Sequence, residues 1–434
     1  MKWKLLISLV LICCACNYVM AQTGTWSGVL DVQGTKLSIV FHLDTEKPSM
    51  DSPDQGVKGL PIQIERAAAG KLAVSIPSLA AVYEGQWLIN KIVGTFTQMN
   101  VTVPLTHYPG EVKPKRPQTP AGPFPYSEEE VSFRNDEVVL NGTLTLPDGC
   151  SRQTPAMIMV TGSGIQNRDS EIFDHKPFAV IADALARAGI ATLRYDDRGF
   201  NGYSGDINNC TTEDFKSDAL AAVELLRERF DKVGVIGHSE GGTIAMMIAS
   251  ENKADFIVSL AGMTVSGAET LVWQNRIALR GLGFSDAAIE SYCNLIDKAF
   301  NVSVNGGVMP DPEDYDLPNS LIQNYRAVLT QIQIPYMKYF LSLDMRPLLG
   351  KITCPLLALN GTKDIQVDHR SNLNALLIGL PDNPYNRIEP VEGVNHLFQH
   401  CTTGAVTEYR TIENTIAPEV LEYIASWISG LFSR

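Results

Sequence analysis

Ser239 stands between Gly237 and Gly241 in KVGVIGHSEGGTIAMMIAS, residues 232–250, where an apolar run gives way to a helix-like stretch. Gly-x-Ser-x-Gly at a strand-to-helix junction makes a turn so tight that a side chain at either flanking position would meet backbone. It also lifts the serine hydroxyl to the N-terminus of the helix, where the dipole favours developing negative charge. The plainer alternative is a serine that only caps the helix. A hydroxyl at its ordinary pKa is a weak nucleophile, so it needs a base, and the base needs an orienting acid.

Both partners have candidates in the chain order serine, acid, histidine. Asp364 directly follows the apolar run PLLALNGTK; Asp368, four residues on, is its competitor. His396 lies in EPVEGVNHLFQ, a glycine-containing turn after the acid and before the last helix-like segment, whereas His238, His369 and His400 do not combine those two properties. An attacked carbonyl becomes an oxyanion and needs preorganised donors. The expected donors are the backbone N–H of Glu240 and that of Ser163, with Gly164 as the alternative, in the glycine loop after AMIMVTGSG. No G-K-[ST] follows that loop, which argues against nucleotide binding. No metal or organic cofactor is required by this chemistry.

The elements that must position these residues are readable from rhythm. The chain has 434 residues, 45% hydrophobic and 19% charged, enough for one large core and a smaller domain. Its net charge of -13 is spread along the chain. No basic stripe speaks for a nucleic-acid partner. Residues 1–21 read as a secretory signal: Lys2 and Lys4, an apolar stretch from Leu5 to Ala15, and Val19-Met20-Ala21 before Gln22. That stretch is too short to span a bilayer. The expectation is an exported protein, periplasmic or secreted, with lipidation at Cys16 as the alternative. The five cysteines beyond it show no metal spacing and read as small buried hydrophobes.

Residues 22–109 alternate polar and apolar at period two, which predicts a small antiparallel β domain, a barrel or sandwich. Trp26 and Trp87 there read as core filler, with sugar stacking as the alternative. Residues 110–126 are rich in proline and form a linker or a strap along a surface. From 127 to 434, continuous apolar strands alternate with amphipathic helices, the signature of a mainly parallel, doubly wound sheet. Residues 265–346 break the alternation with helical patterns and polar loops. This insertion is expected to be a cap over the crevice at the carboxyl edge of the sheet.

Residues 127–434 resemble an α/β-hydrolase of the exported bacterial esterase group also labelled serine-aminopeptidase-like. The resemblance rests on GSGIQNRD (162–169), RYDDRGFNGYSG (194–205), GHSEGG (237–242), LNGTKDIQV (359–367) and GVNHLF (393–398). It implies Ser239 as nucleophile, His396 as base and Asp364 as its orienter, with Arg168-Asp169 and Asp196-Asp197-Arg198 bracing the site. Thr161 departs from the pattern, standing where many relatives carry histidine. The resemblance implies a carboxylic ester hydrolase acting on a small-molecule or glycan-linked ester. An exported aminopeptidase with the same triad is the alternative, and Asp311, Glu313 and Asp314 would be its candidates for holding a free amine. A further alternative makes the β domain a glycan-binding module; otherwise it is a lid or a homodimer element.

Overall fold

The computed structural model describes residues 24–432 except 33–34, 44–45, 56, 69, 89, 100, 111–114 and 201–204. The expected signal at 1–21 and Cys16 lie outside these residues. Contacts divide the chain into two compact units at Lys115/Arg116.

The first unit is one antiparallel sheet of nine short strands. In chain order they are β1 (Thr25–Val32), β2 (Thr35–His42), β3 (Ser49–Ser52), β4 (Val57–Pro61), β5 (Gln63–Ala68), β6 (Lys71–Ile76), β7 (Ala81–Leu88), β8 (Lys91–Gln98) and β9 (Val101–Pro109). Their order across the sheet is β4-β3-β2-β1-β9-β8-β7-β6-β5, so the first strand pairs with the last and the unit closes toward a barrel. Period-two alternation sends Trp26, Phe41, Val74, Tyr83, Ile92 and Leu105 to one core. Trp26 is buried and packs edge-on against Trp87 at 4.9 Å, as core filler does.

The second unit begins with a strap. Arg116 donates to the carbonyls of Phe173, Arg410 and Ile412, and Gln118 exchanges hydrogen bonds with the backbone of Thr415 and Ile416. Its strands are β10 (Tyr126–Asn135), β11 (Val138–Pro147), β12 (Ala156–Val160), β13 (Ala191–Tyr195), β14 (Val233–His238), β15 (Ile257–Leu260), β16 (Leu356–Gly361) and β17 (Arg387–Val391). The order is β10-β11-β13-β12-β14-β15-β16-β17. Pairing is antiparallel as far as β13 and parallel from β13 onward.

Helices connect the parallel strands: α1 (Pro177–Arg187), α2 (Thr212–Arg227) and α3 (Glu240–Ser250) precede the insertion. The insertion carries α4 (Gly267–Gly281), α5 (Asp286–Asn305), α6 (Asn319–Gln331) and α7 (Pro335–Ser342) between β15 and β16, with a core of its own around Tyr292, Phe300 and Tyr325. The chain ends with α8 (His369–Gly379), the short α9 (Val406–Tyr409) and α10 (Pro418–Phe432). Every residue of α3 is buried, which is why its sequence is apolar almost all round rather than striped. Two apolar clusters, one around Ile158, Val235 and Met246 and one around Ile236, Phe256 and Ile428, pack against the sheet. Each large side chain so buried contributes about 1.5–3 kcal/mol.

Three of the five cysteines depart from the expected burial, Cys354 and Cys401 being only partly buried. Cys150 is exposed, because it lies in the turn after β11, where no neighbouring element covers it; Cys210 and Cys293 are buried, and none of the five is disulfide-bonded.

Candidate active site

The elements deliver the singled-out residues to one edge of the parallel sheet. Thr161 follows β12, Asp196 follows β13, Ser239 follows β14, Asp364 follows β16 and His396 follows β17, each beyond a strand's carboxyl end. From β12 the chain crosses to β13 on one side, then returns to β14 on the other, so a crevice opens between β12 and β14. The register Val160↔Gly237 carries the glycine loop beside the serine turn. A Cβ built on Gly162 would stand 3.1 Å from the Ser239 Cβ.

Ser239 has φ 55° and ψ -121°, a conformation that costs an L-residue about 1–3 kcal/mol. Its surroundings hold it there. The Ser239 amide donates to Leu260 O at 2.8 Å, and its own carbonyl accepts from the amides of Gly242 and Thr243 to start α3. Its flanks must be glycine: a Cβ on Gly237 would lie 1.9 Å from Gly241 O, and one on Gly241 2.0 Å from Val160 O. The side chain makes no cap hydrogen bond, so helix capping does not explain the serine.

His396 and Asp364 meet. His396 Nδ1 lies 2.7 Å from Asp364 Oδ2; a carboxylate only accepts, so Nδ1 carries the proton. Asp364 Oδ1 accepts from the amides of Gln366 and Val367, and both Asp364 and His396 are buried. The turn bearing His396 is secured by Asn395, whose Oδ1 accepts from the amides of Leu397 and Gln399. His238 supports it from the other side, donating from Nε2 to His396 O at 2.8 Å. Burial, then the neighbouring His396, push the His238 imidazole down to about 3, so it stays neutral.

The rival residues have other employment. Asp368 is the N-cap of α8, accepting from the amides of Arg370 and Ser371. His369 opens that helix, and His400 pairs with Glu419 at the surface. Asp311, Glu313 and Asp314 are exposed, with Asp311 accepting from the Glu313 amide in their own turn.

Braces hold the glycine loop. Thr161 Oγ1 lies 2.8 Å from both carboxylate oxygens of Asp197, which also accepts from the Gln166 amide. Burial pushes the Asp197 carboxyl up to about 7, against the downward pull of those hydrogen bonds. Gln166 Nε2 reaches the carbonyls of Gly162 and Ser163. Arg168 pairs with Asp196 at 2.8 Å, Asp169 with Arg194, and Arg198 with Asp218 at 2.6 Å. An enclosed cavity of about 10 Å³, room for roughly one water, lies among Thr161, Gly162, Asp197 and Glu240.

Sequence reasoning assigned nothing to the Glu240 carboxylate, and the structure gives it three hydroxyl partners. Glu240 Oε2 accepts from Ser163 Oγ at 2.7 Å and Tyr336 Oη at 2.5 Å, and Oε1 accepts from Thr212 Oγ1 at 2.6 Å. Tyr336 belongs to α7 of the cap and was not singled out. The pair Tyr336 and Tyr339, three apart on one helix face, was the available signal; Tyr339 donates to Glu213 in the first turn of α2.

The chain is similar to several known proteins. The family described as serine aminopeptidase, S33, matches residues 175–286. Over 305 residues the chain is 27% identical to esterase EstD of Thermotoga maritima, covering 68% of each protein. This chain has the α/β-hydrolase fold. The chain is also 28% identical over 132 residues to an acyl transferase of Photobacterium leiognathi, over 30% of this chain and 36% of that one. Among solved structures it is similar to Est1E from Butyrivibrio proteoclasticus, with 16% identity and a TM-score of 0.39 over 69% of this chain and 99% of that one. The family match ends at residue 286, before the cap is complete, so Asp364, His396 and Tyr336 stand on geometry alone.

Proposed function

We propose that the protein is a serine esterase that cleaves carboxylic esters through an acyl-enzyme. Ser239 Oγ attacks the ester carbonyl while His396 Nε2 takes its proton. The Asp364 carboxylate holds the His396 tautomer and stabilises the imidazolium. The backbone N–H groups of Glu240 and Ser163 receive the developing oxyanion. Collapse of the tetrahedral intermediate breaks the bond to the alcohol oxygen, which takes the proton from His396. Water, deprotonated by His396, then attacks the acyl-enzyme, and the acid leaves as Ser239 regains its proton.

The observation that carries this reading is a buried His396–Asp364 hydrogen bond on the same sheet edge as a serine strained between two obligatory glycines. Identity to an esterase across two thirds of the chain supports the ester over other acyl groups. Ser239→Ala is expected to lose hydrolysis of short p-nitrophenyl esters and labelling by a fluorophosphonate, with an unchanged circular dichroism spectrum. Full activity in that variant would overturn the assignment. The S33 family match favours peptide amides as the second reading, and comparing aminoacyl-amide with acyl-ester turnover separates the two. Export, with cleavage before Gln22, belongs to the same proposal; an intact Met1 on protein recovered from the cell envelope would refute it.

A further inference from the structure

Glu240 is nearly fully buried, and its carboxylate is met by hydroxyls from three separate elements. Two of these, Ser163 from the glycine loop and Tyr336 from cap helix α7, converge on the same oxygen. The Ser163 loop lies between two glycines, Gly162 and Gly164, the latter at φ 93°. Such a loop has little intrinsic stiffness. Gln166 ties its carbonyls on one side. On the side of the nucleophile, the hydrogen bond from Ser163 Oγ to Glu240 does the same.

We propose that Glu240 is a positioning residue whose carboxylate couples the cap to the oxyanion site. When Tyr336 is docked on Glu240 Oε2, that oxygen is held where it can also fix Ser163, and with it the Ser163 N–H. Glu240 thus sets both donors, one through its own backbone and the other through its side chain. Thr212 on Oε1 completes the clamp, and Tyr339 on Glu213 beside it keeps α7 over the same helix end. A cap displaced by substrate entry releases Ser163; a cap seated over the bound ester restores it. Turnover is thereby tied to closure.

This rests on the serine-hydrolase reading, and the test separates the two. Tyr336→Phe, Ser163→Ala and Glu240→Gln are assayed on p-nitrophenyl acetate, with binding of an aliphatic trifluoromethyl ketone as the transition-state probe. Each is expected to lower kcat by about 10- to 100-fold with KM within about two-fold. The ketone's affinity should fall by a similar factor to kcat, because the oxyanion is what the two share. Tyr336→Phe added to Glu240→Gln should cost nothing further, since both break the same clamp. Unchanged kcat and ketone affinity in Tyr336→Phe, or losses that multiply in the double variant, would overturn the coupling. If wild-type protein is not labelled at Ser239 by a fluorophosphonate, the hydrolase reading falls first and the coupling with it. A labelled wild type with an indifferent Tyr336 sinks the coupling alone.

Discussion

Asp364 gives one oxygen to His396 and the other to the amides of Gln366 and Val367, so it has no freedom to leave the ring. Asp368, four residues later, spends its carboxylate on the first turn of α8. Two acids that look interchangeable along the chain therefore do different work. Asp364→Asn should lower kcat by roughly 10⁴-fold, because an amide favours the wrong tautomer. Asp368→Ala should cost about 0.5–2 kcal/mol of stability through the lost cap and leave ester turnover within about two-fold. Steady-state kinetics and urea titrations on the two variants check both halves.

The strain at Ser239 is a second handle. Glycine at this φ and ψ carries no Cβ penalty, whereas alanine keeps it. Ser239→Gly and Ser239→Ala should both be inactive, but the glycine variant should be about 1–2 kcal/mol the more stable. Equal stabilities would argue that the turn is relaxed.

The neighbouring glycines make the opposite prediction. A Cβ at Gly241 would meet the Val160 carbonyl, which is backbone of a central strand and cannot swing away. Gly241→Ala should cost more than about 3 kcal/mol, seen as a lower Tm or loss of soluble protein.

His107 offers a test in the β unit. It is fully buried, stacked on Phe41 at 4.4 Å, and among the described residues neither ring nitrogen has a partner. Burial pushes it down to about 3, whereas the unfolded chain protonates it near 6.5. The unfolded state therefore holds the extra proton between those values. The stability His107 allows is full above pH 6.5 and is lost as pH falls toward 3, by up to about 1.4 kcal/mol per pH unit. His107→Leu should remove that acid sensitivity and, by deleting unpaired polar atoms, gain about 1 kcal/mol or more at pH 7. Pulse proteolysis in urea at pH 7 and pH 5, followed at cleavage sites within 24–109, reads the change. An unaltered pH dependence would refute the assignment to His107.

Local patterns carried much of the design. Two glycines flanking a serine at a strand–helix junction encode the turn, because steric exclusion around a tight turn depends on neighbouring backbone. Alternation at period two in 22–109 and continuous apolar strands after 127 encode the two kinds of sheet, because exposure alternates on a one-faced sheet and vanishes on a covered one. The order Ser239, Asp364, His396 narrowed the partners to a few residues.

Tertiary structure decided what depends on distant segments meeting. Pairing of β12 with β14 brought Gly162 against Ser239, and pairing of β1 with β9 closed the β unit; neither is visible in any window of sequence. Thr161, an unexplained departure in the sequence, became the hydroxyl that holds Asp197. The choice between Asp364 and Asp368 came down to which carboxylate the turn at 396 could reach. Glu240 is the clearest case. Its position after the serine predicted a use for its amide, but its carboxylate acquired meaning only when residues 163, 212 and 336 folded onto it. Backbone turns obey local sterics, whereas the partners of a buried charge are set by whichever elements the fold packs around it.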